Sequence, residues 1–504
     1  MFDYLEDFWE NHPALLIGIL SVLGTASALV WHPVYIAVFL SLLLPYFRKQ
    51  RLNSICLCAL AAGGLAYASS YWRIPSMHLP QEAIVGEGVF HIEHFSLISS
   101  PFNRSLCYKG ILKSFRSKEG VLYHNLPCSI FHPLKSPPSA DRDYLIEGKL
   151  SQKKEQLFCL KPQKGKSWKA IEDTFSFAQW RYDAKKRVAS YIKHHIADSS
   201  SASFLSALVT GDVDERSVRL DFNRLGLQHL LAISGFHFSF FAVFVSILLR
   251  PFLSFRMRTL CLMASLGIYF FFLGNAPSIL RAFTAICIFL SAQLLKRRTS
   301  GLNALGAALI VEVFFDPRVI TGLSFQLSFL CTVALLLFYP LMHHFFRFLL
   351  PKRTPAELNE MPLFDQHGYV LSALIRKSLS LNLAICVFSL PVLLHLFHKF
   401  PLLSLLYNLI FPFCVALSLC LLSCAVLVCA IPPLGTLLHD LNSIWTSSLL
   451  QLTSHPPAYF EVFIRTKAVT FSAAICSVLL LFHIGIYFWY WQRSTNLRLP
   501  EQLE

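Results

Sequence analysis

Charged residues are scarce: Asp, Glu, Lys and Arg make up 14% of the 504 residues, against about a quarter in an ordinary soluble domain, whose surface must be wetted. That excludes a chain folded wholly in water and makes lipid the solvent for most of it. Metal and nucleotide chemistry lack their motifs too. The 14 cysteines form no paired C-x-x-C arrangement, and most of them, Cys56, Cys58, Cys261, Cys287, Cys420 and Cys424 among others, lie in apolar runs where Cys is a small packing residue. No H-x-H-x-D-H run is present. Lys164-Gly165-Lys166-Ser167 matches the end of a Walker A loop, but Leu160 stands where its first Gly is required. No metal, nucleotide or other cofactor is therefore expected. Met1 to Asn11 is acidic and aromatic, without the basic start of a cleavable signal peptide, so the first apolar run reads as a retained anchor.

What is abundant is apolar: 55% of the chain. Runs approaching the roughly 17 to 25 residues that cross about 30 Å of hydrocarbon as helix recur along most of it. The reading is a polytopic α-helical membrane protein of about ten to twelve spans, with runs such as Val34 to Phe47, Leu225 to Leu249, Leu302 to Phe315, Ser378 to His398 and Leu434 to Leu452 counted among them. With the N-terminus in the cytoplasm, the basic clusters at Arg48, Lys49 and Arg51, at Arg250, Arg256 and Arg258, at Lys296, Arg297 and Arg298, at Lys352 and Arg353, and at Arg493 all fall on the cytoplasmic side.

That topology puts Pro80 to Trp168, which has no spanning run, on the extracytoplasmic face. Its runs Glu87 to Phe95, Ser105 to Phe115, Asn125 to Phe131, Tyr144 to Leu150 and Gln156 to Leu160 alternate or are aliphatic, separated by Gly, Pro and Ser, and read as five strands. They suit a small OB-fold-like barrel, or a small sandwich. From Pro80 to Ala170 there are fourteen Lys or Arg against eight Asp or Glu, a net of +6 that the positive-inside rule would not place outside. An anionic ligand would explain it; a solvated basic face is the plainer account. Lys109, Lys113, Arg116, Lys149, Lys153 and Lys154 are the candidate phosphate contacts, and Tyr108, Phe115, Tyr123 and Tyr144 would stack bases if exposed. Cys107, Cys128 and Cys159 also fall here, and their pairing is left open. The stretch from Trp168 to Arg224 is amphipathic and is expected to lie along the membrane or against neighbouring helices.

Polar residues inside the apolar runs carry the remaining information. Read as unbroken helix, Gly226 to His237 puts His229, Ser234 and His237 within an arc of roughly 140°. Arg281, Thr284 and Ser291 share a second face, and Ser324, Ser328, Cys331 and Thr332 a third. Such residues face a bundle interior or a wet cavity, because lipid cannot satisfy them. Taken singly, each has a structural reading: hydrogen-bonded His, snorkelling Arg281, hydroxyls as helix-packing glue.

The run Leu208-Val-Thr-Gly211-Asp212, the run Phe222-Asn-Arg-Leu-Gly226-Leu-Gln-His229-Leu-Leu-Ala-Ile-Ser234-Gly235-Phe-His237, then Pro277-Ser278-Ile-Leu-Arg281-Ala282, Leu302 to Leu305, Asp316-Pro317, Ser324-Phe-Gln326-Leu-Ser328-Phe329 and Asn408 to Pro412 come in one order. Together they resemble the signature of the ComEC competence family of DNA-uptake channels, in a short form lacking the C-terminal metallo-β-lactamase-like domain of many members. The resemblance implies a cytoplasmic (inner) membrane channel admitting one DNA strand, lined by Asp212, His229, Ser234, Gly235, His237, Pro277, Ser278, Arg281, Ser324, Gln326 and Ser328. The implied organisation is 1–72, N-terminal spans; 73–170, extracytoplasmic OB-fold-like domain; 171–224, amphipathic connecting helices; 225–346, channel core; 347–377, cytoplasmic loop; 378–504, C-terminal spans. Expected partners are single-stranded DNA, membrane lipid, a periplasmic or surface DNA receptor and a separate cytoplasmic motor; the sequence leaves the oligomeric state open. Two other readings stay open: an intramembrane hydrolase using Ser234 with a histidine base, and a transporter of a small or lipid-like anion held by Arg281.

Overall fold

A computed structural model describes residues 3–43, 53–73, 83–99, 104–133, 137–154, 157–163, 165–213, 215–297, 300–349, 351, 353–401, 404–454, 463–466 and 469–494. Helices α1 (Asp3–Asn11), α2 (Pro13–Leu29), α3 (Val34–Leu43) and α4 (Asn53–Arg73) come first. Strands β1 (Ile84–Ser99), β2 (Arg104–Ser117), β3 (Leu122–Pro133), β4 (Tyr144–Lys154), β5 (Leu157–Pro162) and β6 (Lys169–Ala170) follow. Helices α5 (Ala178–His195), α6 (Ser199–Thr210), α7 (Arg216–Arg224) and α8 (Gln228–Leu231) lead into α9 (Gly235–Leu249), α10 (Phe255–Leu273), α11 (Pro277–Leu294) and α12 (Gly301–Phe315). A 3-10 turn at Pro317–Thr321 precedes α13 (Leu323–Val333), which passes through a π-helical turn, Ala334–Phe338, into α14 (Tyr339–Leu349). Then come α15 (Pro355–Glu360), α16 (Leu363–Phe397), β7 (Lys399–Pro401), α17 (Ser404–Leu427), α18 (Pro432–Ser454), β8 (Phe463–Arg465) and α19 (Phe471–Ser494).

The chain is a polytopic membrane protein carrying a small β-barrel. Among the described residues seven helices are long and apolar enough to cross a membrane: α4, α10, α11, α13 continued by α14, α16, α17 and α19. The pair α1 and α2, bent by 94°, would make an eighth. The remaining expected spans are reached only by shorter or more polar helices. At 1.5 Å per residue, α9 and α12, 15 residues each, reach about 22 Å, and α3 has only 10 residues. The 23-residue α18 turns His439, Asn442, Ser443 and Thr446 inward. Conversely, the 35-residue α16 joins residues 363–377, expected in a loop, to the span that follows them.

Lipid gives helices no hydrophobic reason to associate, so close approach through small residues takes over. A Cβ on Gly306 of α12 would stand 2.2 Å from the Ala14 carbonyl oxygen, and one on Gly24 of α2 would stand 2.1 Å from that of Gly63 in α4. Gly306→Val is therefore expected to lower membrane abundance at least severalfold and the melting temperature in detergent, as overpacking costs of about 1 to 3 kcal/mol imply. Immunoblots and fluorescence-detected thermal shifts would measure both.

The barrel strands are ordered β1-β2-β3-β5-β4, with β4 returning to pair with β1, so the sheet closes. The β3–β5 pair is parallel and the other pairs are antiparallel. Closure decides between the two folds left open by alternation and gives the OB-type barrel. Strand β1, 16 residues long, serves two neighbours because irregularities at Val89/Phe90 and Ile92/His94 bend it. Phe90, Ile92, Tyr108, Leu112, Phe115, Ile130, Ile146 and Leu160 fill the interior.

Helix α5 ties the barrel to the helices. Tyr182 stacks on Phe95 at 4.2 Å between centroids, the Ser176 hydroxyl just before α5 donates to the Ile92 carbonyl, and Arg181 donates to the carbonyls of Glu93 (2.7 Å) and Phe271 (3.0 Å). Phe271 is in the last turn of α10, and Arg73 at the end of α4 donates to the carbonyl of Phe314 near the end of α12. The ends of α4, α10 and α12 and the starts of α9, α11 and α13 thus lie toward the barrel, whereas Arg250, Arg256 and Arg258, between or at the far ends of α9 and α10, lie away from it.

Candidate functional site

A cleft of about 710 Å³ opens where the barrel meets α5, α6 and α7. Among the described residues its lining takes Lys109 from β2, Lys185, Lys186 and Lys193 from α5, and Arg216 and Arg219 from α7, against one carboxylate, Asp212. The lining forms because α5 is amphipathic: Ile192 packs inward among α6–α8 and α17, Lys185 two turns earlier on the same face is buried beside Asp212, and Lys186 and Lys193 stand exposed to the side. Helix α6 ends at Gly211, whose φ of +79° turns the chain so that Asp212 points back at α5. There Asp212 lies 3.3 Å from the Lys185 ammonium and 3.9 Å from His94 Nε2 on β1. Burial pushes the Lys185 pKa down, opposed by Asp212. Burial, then Lys185, push His94 down to about 4, so at neutral pH the imidazole is uncharged and Lys185 is the cation of this contact.

The other barrel candidates are dispersed. Lys113 is bound at 2.6 Å to Asp143; burial would raise that carboxyl, but hydrogen bonds from Lys113 and His91 hold it below the usual carboxylate range. Arg116 and Lys149 are exposed on β2 and β4, outside the cleft. The side chains of Lys153 and Lys154 lie outside the described residues. Base stacking by Tyr108, Phe115 and Tyr144 is corrected: all three are barrel core, at 0%, 0% and 6% exposure, because they fall on the inward phase of their strands. Tyr123 is partly buried against the same core.

The cleft wall leads to the apolar motif region. A Cβ on Gly211 would stand 2.9 Å from Ile233 Cγ1, and Ile233 belongs to a break in what the sequence presents as one span. The unbroken helix expected from Leu225 to Leu249 is not formed: α8 stops at Leu231, residues 232–234 are extended, and α9 starts at Gly235 with Ser234 as its N-cap. Ser234 N–H donates to His237 Nδ1 at 3.3 Å, and the Ser234 hydroxyl stands 3.4 Å from the same nitrogen. This is a capping arrangement. It works against the hydrolase reading, because the nitrogen that would act as base already accepts from backbone. With Nδ1 accepting, the neutral ring carries its proton on Nε2, which is buried and has no hydrogen-bond partner among the described residues. His229 lies across the break on α8 with an exposed side chain, so the two histidines do not share a helical face.

Helix α11 closes on this break. Pro277 starts it, and the Ser278 hydroxyl donates to the Ile233 carbonyl at 3.0 Å. One turn on, Arg281 crosses to α13: Nε donates to Ser328 Oγ and Nη1 to Thr332 Oγ1, each at 2.7 Å. Its guanidinium lies over the Phe329 ring, 5.8 Å from the centroid, and a Cβ on Gly235 would stand 3.7 Å from Nη2. The structure therefore brings Ser234, Gly235, His237, Ser278, Arg281 and Ser328 together at the barrel-facing ends of their helices. Ser324 is exposed, and Gln326 spends its amide on the Ile320 carbonyl at 3.0 Å, bracing the 3-10 turn. Glu312 on α12 is the member that sequence reasoning missed. It is 2% exposed with neither carboxylate oxygen hydrogen-bonded among the described residues, and it lies within electrostatic reach of Arg281. The available signal was a lone carboxylate inside an apolar run.

A family model described as Competence protein matches residues 208–494. ComE operon protein 3 of Bacillus subtilis (strain 168) is 30% identical over 244 residues, 46% of this chain, and the match spans 28% of that relative's length. No solved structure matches the chain. Because the matched residues take in more than half the chain, with the cleft wall at Gly211 and Asp212, the capped break and the Arg281 bridge all inside them, the chain belongs to the Competence protein family.

Proposed function

We propose that this chain conducts a single DNA strand across the cytoplasmic membrane during competence, with the barrel on the extracytoplasmic side. The observation that carries the reading is the continuity of the polar surface: a six-cation cleft beside the barrel, a wall at Gly211 that touches the helix break at Ile233, and Arg281 beside the break. A strand bearing one charge per nucleotide needs cations to gather it and hydrogen-bonding groups to replace water, since an ion in hydrocarbon costs many kcal/mol. The cleft is larger than a small anion requires, which favours a polymer. Burial of the barrel aromatics points to backbone contact without base readout. A separate motor would pull the strand, and a surface or periplasmic receptor would deliver the DNA.

Uptake of labelled DNA by cells lacking this protein tests the reading. Uptake should be lost on deletion, restored by the wild-type chain, and not restored by Lys186→Glu/Arg219→Glu, two exposed cleft positions, although that variant should accumulate normally. Full uptake by the charge-reversed variant would refute the cleft as the receiving surface. Reporters fused after Lys118 and after Lys352 are expected to be active outside and inside the cell respectively; a cytoplasmic barrel would remove the receiver from the DNA's side.

A further inference from the structure

We infer that Asp212 is a built-in stand-in for a strand phosphate, holding Lys185 while the cleft is empty and giving way to a phosphate when a strand is seated. The inference rests on the DNA reading above and adds an exchange step to it. Lys185 is 8% exposed in its side chain, so it cannot simply turn to water, and a buried ammonium needs an anion at all times. Asp212 supplies one at 3.3 Å while remaining 32% exposed, within reach of an arriving ligand. Among the described residues it is the sole carboxylate in a lining with six cations, and its other oxygen lies 3.9 Å from His94 Nε2 on the barrel edge.

The turn that presents it is fixed. Gly211 has its left-handed φ, Thr210 Oγ1 accepts the Asp212 N–H at 3.3 Å, and Ile233 abuts the glycine. The carboxylate can therefore leave Lys185 by rotating about its own side chain without moving the backbone. Phosphate and carboxylate compete for one ammonium, and each repels the other. The cleft then holds each phosphate weakly enough to pass it on, as a conducting route requires.

The test uses the full chain in nanodiscs and a fluorescent 12-mer of oligo-dT, with binding read by anisotropy across a salt series. Asp212→Asn keeps the shape and removes the competitor, and is expected to tighten binding about tenfold. The salt slope should change little, because Lys185 meets one phosphate in both proteins and only the competitor is removed. Asp212→Glu should remain near wild type, and Asp212→Asn/Lys185→Met should lose the gain. The same Asn variant should take up DNA more slowly in cells, because a tighter seat releases later.

A measurement on the wild type guards against a variant that does not fold: carbodiimide labelling of Asp212, read by mass spectrometry, should rise when oligo-dT saturates the cleft. Unchanged or weaker binding by Asp212→Asn, or labelling that stays level or falls, overturns the exchange while leaving the DNA reading intact. If neither wild type nor any variant binds oligo-dT, the DNA reading itself fails and the exchange falls with it.

Discussion

Arg281→Leu is expected to reduce DNA uptake at least about hundredfold while the protein still reaches the membrane. Arg281 makes two hydrogen bonds from a charged group, to Ser328 and Thr332 at 2.7 Å. At about 1.5 to 3 kcal/mol each, their loss is enough for two orders of magnitude. Removal strands no donor on Thr332, whose hydroxyl already bonds the Ser328 carbonyl at 2.9 Å, so α13 should keep its shape. The remaining cost falls on Glu312, a buried carboxyl with neither oxygen hydrogen-bonded among the described residues, which loses the positive charge within its electrostatic reach. Abundance of the single variant should therefore fall, and Arg281→Leu/Glu312→Gln should restore it. If the double variant also regains uptake, Arg281 is a structural partner of Glu312 and nothing more. Arg281→Lys is expected to be nearly as inactive as Leu, because one ammonium cannot present the fork that bridges two hydroxyls one turn apart. Labelled-DNA uptake and membrane immunoblots on the same cultures separate these outcomes.

The barrel was legible because strand alternation is local. The run expected from Ser105 to Phe115 lies within β2, and that from Tyr144 to Leu150 within β4. Closure was not legible, since the pairing of Ile84 with Leu150 and of Ser129 with Cys159 joins residues distant in sequence. Alternation also could not tell which face of a strand was inside, so Tyr108 reads equally as core or as stacking platform until the Phe95 and Trp168 rings enclose it. Hydropathy misled at Leu225 to Leu249 for a related reason. Ile233, Phe236 and Phe238 keep the average apolar, yet Ser234 followed by a histidine at the third helical position is a helix start. The reverse holds for Lys185, Lys186 and Lys193, which the sequence shows as an amphipathic face. Only the fold sets that face beside Asp212 and Lys109 to make a cleft.

Gly235 and Gly211 separate a route from a scaffold. Gly235 opens α9 outside the left-handed region, and among the described residues beyond its own helical turn the one atom within 4 Å of an added Cβ is Arg281 Nη2, at 3.7 Å. Gly235→Ala should therefore be tolerated, with abundance unchanged and uptake within about threefold, since 3.7 Å is an ordinary van der Waals contact. Gly235→Leu sends its branch into the guanidinium and must displace it from Ser328 and Thr332. At about 1 to 3 kcal/mol for such crowding, uptake should fall roughly tenfold to hundredfold with abundance largely kept. Gly211 behaves in the opposite way. Its φ of +79° costs any other residue about 1 to 2 kcal/mol, and even a methyl would stand 2.9 Å from Ile233 Cγ1. Gly211→Ala should lose protein first, with uptake falling in proportion to what remains in the membrane. Uptake per molecule is the discriminating quantity: preserved in Gly211→Ala, lost in Gly235→Leu. If both variants lose uptake only as fast as they lose protein, the gap beside Arg281 is packing and the strand passes elsewhere.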